Sequence, residues 1–78
     1  MKELIEFITT SLVDDPTQVE VTQVRRGSQV TLELHVAKED MGRIIGKSGR
    51  VASAMRTLLR VTAAQEGKRA ALDIIEPE

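Results

Sequence analysis

From position 30 to 37 the chain allows little freedom of interpretation: Val30, Leu32, Leu34 and Val36 alternate strictly with Thr31, Glu33, His35 and Ala37. A period of two marks a strand with one apolar and one polar face. Such a strand must lay its apolar face against other elements, because a lone strand or hairpin is not stable in water. A partner precedes it, where Val19 and Val21 alternate with Glu20 and Thr22. The tetrapeptide Arg25-Arg26-Gly27-Ser28 reads as the turn between the two strands. Leu72 and Ile74 alternate in a third strand that ends before Pro77.

Helical spacing organises the remainder. Between Met1 and Val13, the residues Leu4, Ile5, Ile8 and Leu12 form an apolar stripe. Phe7 is the one aromatic residue of the chain and is expected to pack in the core beside that stripe. Asp14-Asp15-Pro16 stops the helix, since the residue before a proline is pushed out of the helical region. Glu39 to Ile45 reads as a short helix, with Glu39 or Asp40 near its N-terminus and Gly46 just past its end. A longer helix runs from about Arg50 to Gln65. Its inward stripe is expected to be Val51, Met55, Leu58 and Thr62 with Leu59 alongside, and Gly67 breaks it. Arg50, Ser53, Thr57 and Arg60 share another face, which is polar and partly basic.

The order is therefore helix, strand, strand, helix, turn, helix, strand. A hairpin makes the first two strands antiparallel, and the two-helix connection is long enough for a crossover that leaves the second and third parallel. The expected fold is α+β in two layers: three helices on one face of a three-stranded mixed sheet, as one domain over residues 1–78.

Composition narrows the chemistry. There is no cysteine, so no disulfide framework, thiolate metal site or thiol nucleophile. His35 is the sole histidine and reads as an exposed strand residue, so neither a metal site nor a cofactor is expected. No nucleophile has an evident general base, Ser48 included, which argues against an enzyme. No apolar run approaches the roughly 20 residues of a membrane span and no basic-then-apolar leader opens the chain, so the expected location is the cytoplasm.

The net charge is -1, but it is unevenly spread. Between Lys38 and Arg60 six basic residues face two acidic ones, whereas the rest of the chain carries five basic and ten acidic. A charge-segregated small domain steers a polyanion to one face while the other keeps it in solution.

Within the basic segment lies Ile44-Ile45-Gly46-Lys47-Ser48-Gly49-Arg50. Two glycines three apart make a tight turn with unobstructed backbone amides, because glycine tolerates positive φ and admits a closely approaching group. A helix starting after Gly49 would aim its first free N–H groups and its dipole at the same spot, which favours an anion. Lys47 and Arg50 add mobile positive charge. A glycine-punctuated connector without a ligand explains one glycine, but not the pair together with the basic excess.

The run Met41-Gly42-Arg43-Ile44-Ile45-Gly46-Lys47-Ser48-Gly49-Arg50 resembles the signature of the K-homology (KH) domain. There an aliphatic pair precedes a G-x-x-G loop between two helices, and the loop clamps the backbone of about four nucleotides. The extra helix and strand placed N-terminally resemble the type II, prokaryotic arrangement, and the resemblance covers essentially the whole chain. G-x-x-G alone is a common pattern. Its specificity here comes from Ile44-Ile45 before it, a basic residue inside it and an amphipathic helix after it. The chain departs from the family pattern at Lys38, where a proline is expected before the acidic pair, which bears on the start of the short helix.

The resemblance implies a non-catalytic module for single-stranded RNA, of the kind that acts in bacteria as an RNA chaperone or post-transcriptional regulator. It implies phosphate contacts from Lys47, Arg50 and nearby Arg43, and close backbone approach at Gly46 and Gly49. Ser48 would donate a hydrogen bond or cap the helix. Ile44, Ile45 and Val51 would line an aliphatic base groove, with one isoleucine of the pair turned into the core. It also implies a homodimer, or pairing with a larger KH-containing partner of the Jag type. Ala54 and Val61 fall on the same outward side of the long helix as Thr57, and an exposed valine there marks a partner surface. A dimerisation adaptor with secondary RNA contact is therefore the second expectation.

Three rival readings fit less well. Gly46-Lys47-Ser48 resembles the end of a nucleotide-binding P-loop, but Met41 stands where that motif needs glycine, and Gly42 is one residue too close. A helix-turn-helix DNA reader shares the two helices around a glycine turn, yet Arg50-Val51-Ala52-Ser53 offers no Asn or Gln for adenine edges. RNA modules built on base stacking need exposed aromatic residues, and this chain has no Tyr or Trp.

Overall fold

The computed structural model describes residues 1–77, with the side chain of Lys47 outside the described set. The elements are α1 (Lys2–Leu12), β1 (Glu20–Arg26), β2 (Gln29–His35), α2 (Met41–Gln65) and β3 (Arg69–Ile75), with short 3-10 turns at Pro16–Gln18 and Lys38–Asp40. The sheet order is β1-β2-β3, antiparallel between β1 and β2 and parallel between β2 and β3. The expected α+β architecture with a mixed three-stranded sheet is the one observed.

Arg25 and Arg26 belong to β1, not to the turn. Arg26 pairs with Gln29, and a two-residue turn at Gly27-Ser28, with Gly27 at φ 59°, is enough to reverse the chain. The register sets Leu34 between Val21 and Ile74, and Leu32 between Gln23 and Leu72. Every second residue of β2 is thus buried, as its alternation requires, and Val30, Leu32 and Leu34 form the floor of the core. Val21 is buried but Gln23 and Arg25 on the same face are exposed, so the helical layer covers β1 only at its first turn of chain. His35 lies on the other face of the sheet with Glu33.

Helical phase is where the structure departs from expectation. In α1 the buried line runs through Ile5 and Thr9, whose hydroxyl donates to the Met55 sulfur at 3.9 Å. Phe7 is 65% exposed, contrary to a core role. At about 100° per residue it lies some 200° from Ile5, on the far side of the helix. In the long helix the buried line is Ala52, Met55, Leu59 and Ala63, while Leu58 is 48% exposed. The alanines let the helix sit close on the sheet, and that fixes the phase by Leu59, one residue on from Leu58.

The two expected helices after β2 form one hydrogen-bonded run, α2, bent inside. Ser48 (φ 60°) and Gly49 (φ 74°) take left-handed values that a right-handed helix cannot continue through. The bend divides α2 into a first arm, 41–47, and a second arm, 50–65, so three helical segments lie against the sheet. Gly46 does not end the first arm; the left-handed pair does. The second arm closes in a Schellman arrangement, with Lys68 N–H donating to the Ala63 carbonyl and Gly67 N–H to that of Ala64.

Candidate functional site

The bend in α2 is the centre of the site. Gly49 needs its missing Cβ because of its positive φ; Ser48 adopts a similar angle with one and stands exposed at the tip. Successive left-handed residues flanked by helical ones turn neighbouring N–H groups toward one concave side, a shape that binds anions. Gly46 is different. It has no positive φ, and a Cβ built there would meet nothing within 4 Å. In a helix glycine costs about 0.5–1 kcal/mol relative to alanine. Neither packing nor backbone angle within the chain asks for that cost. An external group lying against the bare backbone would.

The isoleucine pair divides its work. Ile44 is fully buried among the core residues, so it does not line a groove; Ile45 is 44% exposed. One residue of an adjacent pair on a helix must point about 100° away from the other. Ile45 borders a hollow of about 270 Å³ with Lys38, Met41, Glu76 and Pro77. Met41 and Ile45 supply its aliphatic side, four residues apart on one face of the first arm. Gly42 and Gly46 follow on the next strip of the same arm, where no Cβ covers the backbone. Val51 is half-buried at the start of the second arm, and Arg50 is exposed.

Arg43 is occupied elsewhere. Its Nη2 lies 2.7 Å from Asp14 Oδ2 and its Nε 3.4 Å from Asp40 Oδ1. It ties the first arm to the segment after α1, while its side chain stays 51% exposed. Asp40 anchors that link. It is 2% exposed, and its carboxylate accepts hydrogen bonds from the backbone N–H groups of Asp14 (3.0 Å) and Asp15 (3.1 Å). It makes no side-chain cap to its own helix. An acidic residue just before a helix reads as a cap, and nothing local distinguishes a cap from a long-range tie.

Lys47, the cation expected inside the turn, has its side chain outside the described residues. Ala54, Thr57 and Val61 are all exposed on the second arm, Val61 at 53%. None of the three lines the Ile45 hollow. The hollow's far wall, Glu76 and Pro77, had no sequence signal, because only the return of β3 brings it beside the first arm. Among the described residues no group of three or more His, Cys, Asp or Glu side chains is placed to hold a metal ion. No helix among them is long and apolar enough to cross a membrane.

Comparison with known proteins is consistent with this geometry. The sequence model of the family described as KhpA/KhpB, KH domain, matches residues 2–74. A protein of Clostridium acetobutylicum named RNA-binding protein KhpA is 49% identical over 75 residues, covering 96% of this chain and 100% of the relative. A protein of the same name from Listeria monocytogenes is 46% identical over 76 residues, covering 97% and 100%. One from Borreliella burgdorferi is 45% identical over 74 residues, covering 95% and 90%. No solved structure matches at a significant level.

Proposed function

The chain belongs to the KhpA/KhpB family of KH domains, and from that premise we propose that it is a non-catalytic RNA-binding protein that holds single-stranded RNA at the Gly46–Gly49 turn. The observation that carries the reading is Gly46, whose bare backbone has no internal use beside an exposed isoleucine and a left-handed, anion-facing bend. The phosphates would lie against the amides of the turn, with Lys47 and Arg50 supplying charge and Ser48 a hydroxyl. Ile45 and Met41 would meet the bases in the hollow, with Val51 at its margin. Small apolar walls suit bases that pass without aromatic stacking, which fits an RNA chaperone or regulator acting on many transcripts. The proteins named above carry RNA binding in their names, which supports the same chemistry here.

The test is the joint replacement Lys47→Asp and Ser48→Asp. It changes the local charge by -3 while Gly46 and Gly49 keep the backbone. Acidic residues at the start of the second arm are mildly favourable to folding, by about 0.3–1 kcal/mol each. Fluorescence anisotropy with single-stranded RNA should therefore show binding lost, while thermal unfolding stays close to that of the parent. Unchanged affinity on an intact fold would reduce the turn to a connector and remove the assignment.

A second reading has its own observation. Ala54, Leu58 and Val61 recur at i, i+4 and i+7 on the outer side of the second arm, giving an exposed apolar stripe with Thr57 beside it. That stripe suits self-association, or a larger KH partner of the Jag type, with RNA held by the assembled pair.

A further inference from the structure

β1 is an edge strand, and the order β1-β2-β3 leaves its outer side unpaired among the described residues. The Ser28 carbonyl accepts a hydrogen bond from Arg69 N–H of β3 at 2.8 Å, so the next residue, Gln29, turns its backbone groups to its β1 partner Arg26. Along β1 the backbone groups of Glu20, Thr22, Val24 and Arg26 are therefore spent on β2, and those of Val21, Gln23 and Arg25 point out of the sheet. Strand edges are commonly blunted by a proline or a bulge. β1 has neither: its seven residues contain no proline and pair with β2 without a break in register. Val24 is 41% exposed, and none of Glu20, Arg25 and Arg26 takes part in an ion pair among the described residues. The acid stands at one end of the strand and the two arginines at the other.

We propose that the β1 edge is a self-association surface, on which a second copy of this chain adds its own β1 antiparallel to make one continuous sheet. Laid about a two-fold axis at Gln23, the strand is its own complement. Gln23 meets Gln23 and Val21 meets Arg25; these are the residues with outward backbone groups, so each such pair exchanges two hydrogen bonds. In the intervening pairs side chains stand closer, and there Thr22 meets Val24 and Glu20 meets Arg26. Opposite charges thus face each other at both ends of the ladder. Moving the axis to Thr22 or Val24 still matches outward groups but loses both Glu20–Arg26 pairs. The inner face of β1 gains a neighbour in the same arrangement. Gln23 and Arg25 are exposed there, while Val21 is buried in the core with Ile5 of α1. With Val21 of the second copy opposite Arg25, the second copy's α1 comes beside these exposed residues. That helix offers Phe7, 65% exposed: Thr9 marks the flank turned to α2, and Phe7 lies about 200° around the helix from it. The edge contact is separate from the apolar stripe of the second arm. It is weaker than a contact through that stripe, because its ladder buries no large apolar side chain.

The experiment is sedimentation equilibrium at low ionic strength on the full chain carrying Val61→Glu, which removes the stripe contact and reads the edge alone. This protein should pass from monomer to dimer as its concentration rises, and less readily in high salt, which screens exposed pairs. Added to it singly, Glu20→Arg sets arginine against arginine at both ends, and Arg26→Glu sets carboxylate against carboxylate. Each should weaken association about tenfold, because two attractive cross-strand pairs become repulsive. An equal mixture of the two variants has opposite charges at both ends again, so dimer should return at the original concentration. Both positions are exposed, and circular dichroism checks that the fold is kept. Hydrogen exchange locates the contact: the amides of Val21, Gln23 and Arg25 should slow in the dimer, while those of Thr22, Val24 and Arg26, already bonded to β2, stay as they were. Charge variants that associate as before, or a mixture that remains monomeric, overturn the proposal. So does a Val61→Glu protein that is monomeric at every concentration, which is also the result expected if the edge instead takes a strand of a different protein. The RNA-binding reading stands apart from all of these outcomes.

Discussion

Two glycines three positions apart have opposite reasons to be glycine, and substitution separates them. Gly49 stands at φ 74°, where a side chain costs about 1–2 kcal/mol. Gly46 stands in helical backbone with open space where a Cβ would go. Gly49→Ala should therefore lower stability by about that amount in denaturant unfolding. Gly46→Ala should raise it by about 0.5–1 kcal/mol yet weaken RNA binding in an anisotropy titration. A Gly46→Ala variant that gains stability and keeps full affinity would show that nothing approaches its backbone. Asp40 is the other residue whose identity is decided by what it touches. Asp40→Ala would strand two backbone donors and one side of Arg43, and should cost about 1–3 kcal/mol by chemical denaturation. Asp40→Asn keeps one acceptor and should cost less.

At the scale of the element, the second arm shows how one residue of phase changes the meaning of a side chain. Leu58 and Leu59 are adjacent and chemically identical, yet Leu59 is 1% exposed and Leu58 48%. Leu59→Ala should cost about 2–5 kcal/mol as a core truncation, and Leu58→Ala less than about 1 kcal/mol. Equal losses in thermal unfolding would mean that the arm is rotated from its observed phase. The same rotation places Arg56 and Arg60 over β3 and Ala54, Leu58 and Val61 on the outer side. One helix thus carries basic side chains beside β3 on one flank and the apolar stripe on another.

For the whole molecule, charge and apolar surface are sorted to different places. The sequence has an acidic balance, but the structure gathers Arg56 and Arg60 of the second arm, Lys68 of the turn after it and Arg69 of β3 around two adjoining hollows, and pairs Arg43 with Asp14 and Asp40. The apolar stripe of the second arm should govern association. Val61→Glu should convert a dimer to monomer in sedimentation velocity, with helix content unchanged by circular dichroism. A variant that remains dimeric would place the contact elsewhere. Joining two RNA sites in a dimer raises affinity for a long strand through effective concentration, with no new contact. The same variant should therefore weaken binding of long RNA while leaving short RNA alone.

Local chemistry determined the elements, their order and the turn. Strict alternation in β2, proline after α1 and paired glycines in α2 each act within a few residues of chain. Their consequences are therefore written in the sequence, and with them the parallel crossover and the likeness to a KH domain. The elements left unforeseen are those that depend on contact across the fold. Phe7 and Leu58 point outward because two lines of small residues, Thr9 on α1 and Ala52 and Ala63 on α2, let the helices settle closer on that side. Small residues carry no strong hydrophobic signal, so periodicity favours the larger neighbour. Asp40 and Arg43 are joined to Asp14 across more than twenty residues, and Glu76 is brought to Ile45 by the return of β3. Ion pairs and groove walls of that kind form only once the chain has closed on itself, and tertiary structure alone decides them.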